Sequence, residues 1–113
     1  MSEYDVVNLR AVLERIRAQA TKENIRITQH AHQEMVEENI TLSEVLQTIN
    51  TAQILENYPG HRRGPCCLLS GLSQTGRSLH IVCTTAEPML IIITVYEPRP
   101  PKWLSPTQRR QRG

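Results

Sequence analysis

Phenylalanine is absent from these 113 residues, and one tryptophan with three tyrosines makes up the whole aromatic complement. So few flat rings leave little for a ligand to stack against. No run approaches the roughly 20 apolar residues of a membrane span. The opening Met1-Ser2-Glu3-Tyr4-Asp5 is acidic, where a secretory signal is basic and then apolar. A soluble cytoplasmic protein with no membrane contact is the expectation. Cysteine is scarce too: Cys66, Cys67 and Cys83, an odd number with no framework spacing, which argues against a secreted disulfide fold. Adjacent Cys66 and Cys67 point to opposite faces of a strand, and His30 and His32 diverge around a helix. No Cys-x-x-Cys occurs, so no metal site or other cofactor is expected.

The length suits one domain with a modest core. The net charge of +2 hides an asymmetry. Residues 1–97 carry eight basic and eleven acidic side chains, a balance of −3, whereas residues 98–113 carry five basic side chains and no acid. The expected division is therefore a domain over 1–98 and a basic tail over 99–113. Its cations are Arg99, Lys102, Arg109, Arg110 and Arg112, interspersed with Pro98, Pro100, Pro101 and Pro106. Such a tail does not continue a strand or helix. It contacts phosphates or an acidic partner, or it is simply solvated.

Val6, Leu9, Val12, Leu13 and Ile16 recur at three- and four-residue steps, predicting an amphipathic helix over about 5–21 with Asp5 as N-cap. An extended segment, 25–27, leads to Thr28, the N-cap of a second helix with Met35 inward and Asn39 at its end. Thr41-Leu42-Ser43-Glu44 matches a capping box and opens a third helix bearing Val45, Leu46 and Ile49. Strands are predicted over 53–58, 66–72, 78–84 and 90–96, with turn chemistry at Pro59-Gly60, Gln74-Thr75-Gly76 and Glu87-Pro88. Linkers so short cannot hold crossover helices, so an antiparallel meander follows. The predicted fold is α+β, N-terminal helices packed on a four-stranded antiparallel sheet. Its expected core includes Val6, Leu9, Leu13, Met35, Leu46, Leu79, Ile81, Ile91 and Ile93, with the last strand central.

Two histidines stand in unlike settings. His30 lies in the first turn of the second helix. His80 interrupts the apolar run Leu79-His80-Ile81-Val82, where a titratable ring needs a partner or a task. Strand parity puts His80, Thr94 and Tyr96 on the face away from the helices. His30 reaches that face only if its helix crosses the sheet edge.

Four blocks, ITQHAHQEMVEENITLSEV, LENYPG, LLSGLSQTGRSLHIVC and IIITVYEPRPPKW, covering roughly residues 25–103, resemble a small bacterial domain family of unknown function. That family is often encoded beside MqsA/YgiT-type zinc-finger antitoxins. His30-Ala31, Met35, Tyr58-Pro59, Leu79-His80-Ile81-Val82, Tyr96 and Pro98 match its pattern. The resemblance implies a RelE/barnase-like fold and the toxin of a type II toxin–antitoxin pair, with a zinc-finger antitoxin and RNA, free or on the ribosome, as partners. Glu34 departs from the family's arginine, and an acid there weakens phosphate attraction.

Metal-independent RNA cleavage by 2′-OH attack needs a base, an acid and a cation. His30 and His80 are the candidate proton-transfer pair, Arg77 the cation, and Tyr96 a donor to phosphate. Tyr58, Arg99 and Lys102 are the candidate substrate-binding groups. The structural alternatives are a local hydrogen bond for His30, solvation for Arg77 and a covering role for Tyr96. The alternative function is a non-catalytic protein-binding module or an inactive toxin homologue. The few aromatic rings argue against sequence-specific RNA reading by this chain alone.

Overall fold

A computed structural model describes the backbone of residues 2–62, 64–85 and 88–110, with side chains from residue 9 onward. Helix α1 runs Ser2–Gln19 and begins upstream of Asp5, the expected cap. The side chain of Val6, expected in the core, the turn residue Glu87 and the tail cation Arg112 lie outside what the structure describes. Ile16 is fully buried, with Val12 and Leu13 packed partly against the core. Arg17 reaches across to donate to the Ile49 and Ala52 carbonyls, at 3.3 and 2.7 Å.

Helix α2, Gln29–Glu38, starts and stops as its caps dictate. Thr28 Oγ1 accepts from Ala31 N, and Asn39 takes the left-handed conformation at φ 57°, which asparagine tolerates better than most residues. Helix α3, Leu42–Thr51, carries both halves of the Thr41–Glu44 capping box. It buries Val45, Thr48 and Ile49, while Leu46 stays half-buried, as does Leu9 in α1.

The strands β2 (Gln53–Tyr58), β3 (Cys66–Leu72), β4 (Ser78–Thr84) and β5 (Leu90–Tyr96) form the expected antiparallel meander. The sheet is nevertheless five-stranded and mixed. The segment Ile25–Ile27 is a strand, β1, pairing parallel with Leu90–Ile92. Parallel pairing needs a long crossover, and the helices and meander between the two strands supply it. The order is β1-β5-β4-β3-β2, so β5 is interior but β4 takes the middle.

A bulge in β5 alters its parity. Val82 pairs with Thr94 but Cys83 pairs with Ile92, leaving Ile93 as the extra residue. Leu90, Ile92 and Val95 are buried, whereas Ile91 and Ile93 are half-buried. The expected core positions of Ile91 and Ile93 are thereby corrected: one inserted residue moves its neighbours to the opposite face. Cys67, Leu69, Leu79, Ile81 and Cys83 pack with the helices in the main core.

Beyond β1, the edge of β5 is covered by α2 rather than by another strand. Thr28 Oγ1 donates to the Ile93 carbonyl at 3.0 Å, Glu34 Oε1 accepts from Val95 N at 2.9 Å, and Glu38 Oε1 accepts from Glu97 N at 3.0 Å. Amides two apart on a strand and carboxylates four apart on a helix have nearly the same spacing, about 6–7 Å. The α2 stripe His30-Glu34-Glu38 therefore lies along the strand edge, and the helix does cross there.

The tail folds as well. Trp103–Ser105 (β6) and Gln108–Arg109 (β7) pair as a small antiparallel hairpin, with Trp103 only 2% exposed. The prolines that were expected to exclude a strand stand before it, at 98, 100 and 101, or in its turn, at 106, where a missing N–H costs no ladder bond. The hairpin lies on the sheet face away from the core helices, with Pro106 O reached by Ser70 Oγ and His80 Nε2.

A cleft between helix, sheet and hairpin

On one side of the hairpin that face opens into a cleft of about 580 Å³. Val82, Ile93 and Thr94 form its floor. His30 and Glu34 line the α2 side, Tyr58, Lys102 and Arg109 the opposite side, and Tyr96 completes it.

His30 is 67% exposed at the side chain, and its Nε2 lies 3.5 Å from Glu34 Oε2. The other Glu34 oxygen accepts from Val95 N and from a short bond donated by Thr94 Oγ1. The carboxylate is thus anchored to β5 and orients the imidazole, leaving Nδ1 for other chemistry.

Across the cleft, Arg109 donates Nε and Nη2 to the two Glu56 oxygens, at 3.0 and 2.8 Å. It also lies over the Trp103 ring at 4.5 Å. This fork holds the Glu56 carboxyl below its usual range. Tyr58 donates its hydroxyl to Glu56 in a short bond, and burial with that carboxylate pushes its pKa well up. Tyr96 is raised too, chiefly by burial.

The expected residues divide into three groups. His30, Tyr58, Tyr96 and Lys102 line one cleft. His80 lies beneath it, fully buried, with Nε2 2.5 Å from Pro106 O and Nδ1 3.2 Å from the Tyr96 hydroxyl. Burial depresses its pKa. Arg77 and Arg99 belong to a separate ion cluster. Arg77 donates to the Glu38 and Asn39 carbonyls at the end of α2 and approaches Glu97 and Glu44 at 3.5 and 3.7 Å. Arg99 pairs with Glu38 and Glu97 at 3.2 and 2.7 Å. Arg77 ties two helices to the sheet, a position that suits a cation at a helix C-terminus.

Arg109 is the cleft residue that sequence reasoning missed. The readable signal was a strand-turn-strand around Ser105-Pro106-Thr107, which sets Arg109 directly opposite Trp103. Among the described residues, no three His, Cys, Asp or Glu side chains gather as a metal site would require. Among the same residues, no helix is long and apolar enough to cross a membrane.

Residues 27–97, well over half of the chain, match the family described as Domain of unknown function (DUF4258). No curated protein and no solved structure matches the chain. The matched span holds His30, Glu34, Tyr58, His80 and Tyr96, whereas Lys102, Trp103 and Arg109 come from the segment that follows it.

Proposed function

This chain belongs to the DUF4258 family, and we propose that it is a metal-independent endoribonuclease that uses the cleft over β4 and β5. One observation carries this reading. His30, braced by Glu34, faces Lys102 and Arg109 across a single cleft. His30 takes the proton of a ribose 2′-OH, and the oxygen attacks the adjacent phosphorus. Lys102 and Arg109 balance the charge that develops on the phosphoryl oxygens. Lys102 gives a proton to the departing 5′ oxygen, leaving a 2′,3′-cyclic phosphate. The RelE/barnase-like fold, a cytoplasmic location, a role as the toxin of a type II pair and a zinc-finger antitoxin as partner complete the proposal. The sequence resemblance supports these parts.

The test is a purified chain with RNA oligonucleotides in EDTA, product ends being read by mass spectrometry. Cyclic or 3′-phosphate ends are expected, with expression of the unpartnered chain arresting growth. His30→Gln should lose ~10²–10⁴-fold in rate, as for a removed general base. A folded His30→Gln chain that cleaves at the wild-type rate sinks the mechanism.

A second reading, a non-catalytic protein-binding module, is favoured by the carboxylates. Glu56 already engages Arg109, and Glu34 stands in the cleft itself. A wild-type chain that neither cleaves nor binds RNA would favour it.

A further inference from the structure

We propose that His80 is a positioning residue that seats the C-terminal hairpin and so holds Lys102 and Arg109 at the cleft, with no proton transfer of its own. Its consequence for RNA rests on the cleft reading above; the seating does not.

A carbonyl oxygen only accepts, so the 2.5 Å contact to Pro106 O requires the proton on His80 Nε2. In the neutral ring Nδ1 is then bare and must accept. The Tyr96 hydroxyl, 3.2 Å away, is its donor. Both nitrogens are committed, and the ring is 0% exposed. His80 has neither a free lone pair nor an accessible proton with which to serve a substrate.

The same contacts anchor the hairpin. The Trp103 ring stands perpendicular to His80 at 4.4 Å, and Arg109 lies over Trp103 while forking onto Glu56. Ser70 Oγ gives Pro106 O a second donor at 3.3 Å. The Tyr96 proton is turned inward to His80, so Tyr96 has no proton left to give at the cleft. This removes the phosphate-donor role expected from sequence.

Three measurements on the full chain test this. First, the His80 imidazole nitrogens read by ¹⁵N NMR should report the Nε2–H tautomer, with a proton that exchanges slowly with water. Second, His80→Leu removes the donor at similar volume. The emission of Trp103, the sole tryptophan, should shift to the red. Trypsin should cut after Lys102 about tenfold faster, since one lost buried hydrogen bond is about a factor of ten in local opening. Third, because Lys102 and Arg109 act on the transition state from the hairpin, kcat/KM for RNA should fall by up to about tenfold. His80→Gln, whose amide nitrogen reaches the Nε2 position, should restore emission, protease resistance and kcat/KM.

An Nδ1–H tautomer, or a folded His80→Leu chain with wild-type emission and proteolysis, overturns the proposal. So does a ~10²–10⁴-fold loss of kcat at constant KM in both variants, the pattern of a lost acid or base. If the wild type cleaves no RNA, the cleft reading fails while tautomer, emission and proteolysis still decide the seating. If His80→Leu does not fold, the tautomer and His80→Gln decide it.

Discussion

Glu34 shows how much one side chain's role depends on what surrounds it. By type it is an acid where the family resemblance has an arginine, which reads as lost phosphate affinity. In the fold, its carboxylate accepts the amide of Val95 and the hydroxyl of Thr94 and stands beside His30. Val95 is fully buried, so removing the acceptor leaves an amide unpaired at the edge of β5. Glu34→Ala should therefore lose about 1–3 kcal/mol in urea unfolding. Glu34→Gln, which keeps one acceptor oxygen, should recover most of that. An unchanged midpoint in Glu34→Ala would mean that water replaces the carboxylate. Residue types in the sequence pointed to His30, Tyr58, Tyr96 and Lys102, because histidines, tyrosines and lysines are where proton transfer and anion binding reside. The structure sets Arg77 apart from that cleft, with partners Glu38, Asn39, Glu44 and Glu97 that lie 20 or more residues away. A side chain's charge is legible in sequence; the carboxylate that consumes it is not.

At the scale of elements, legibility follows the range of the forces involved. The caps at Thr28, Asn39 and Thr41–Glu44 are local hydrogen bonds, and sequence shows them directly. The four meander strands are bounded by their own turn residues. The parallel strand β1 is only three residues long and pairs with a strand more than sixty residues away, so no local signal marks it. The bulge at Ile93 has no signature in Ile91-Ile92-Ile93-Thr94, yet it decides which isoleucines enter the core. Helix–strand packing is similarly hidden, and Gly71 marks a close approach within it. A Cβ there would sit 2.7 Å from the Thr48 carbonyl oxygen and 3.0 Å from Ala52 Cα. Both are backbone of α3 and its cap, so the whole helix would have to lift. Gly71→Ala should cost about 1–3 kcal/mol, as for overpacking elsewhere. Gly60, whose Cβ would meet nothing within 4 Å, is the control. Gly60→Ala should stay within about 0.5 kcal/mol, and equal losses at the two positions would refute the packing account.

Over the whole molecule, the basic tail is folded into the charge balance of the domain. Arg99 pairs with Glu38 and Glu97, and Arg109 with Glu56, so acids of the body meet two of the tail's cations. Sequence separated the two charges by position, and folding brought them together. This docking places a neutral histidine and an ionised glutamate at one seam, which links stability to pH. His80 is held below its ordinary value of 6.5 by burial, which outweighs the Pro106 bond and the nearby Glu56. Below 6.5 the unfolded chain gains a proton that the folded chain refuses, so stability is full above that pH and falls as pH drops toward the folded value. Glu56 is held below 4.5, first by Arg109. Its contribution persists above 4.5 and is lost as pH falls through its lower folded value. Thermal melts should thus show two descending limbs, one beginning near pH 6.5 and one below 4.5. His80→Gln should flatten the first and Glu56→Gln the second. Trp103 emission, followed through the first limb, should redden along with the melt, because the proton that enters His80 acts where the hairpin is seated. A wild-type melting temperature that stays level from pH 7 to 5, or a first limb that survives in His80→Gln, would mean that this buried imidazole is not the group that links the tail to the fold.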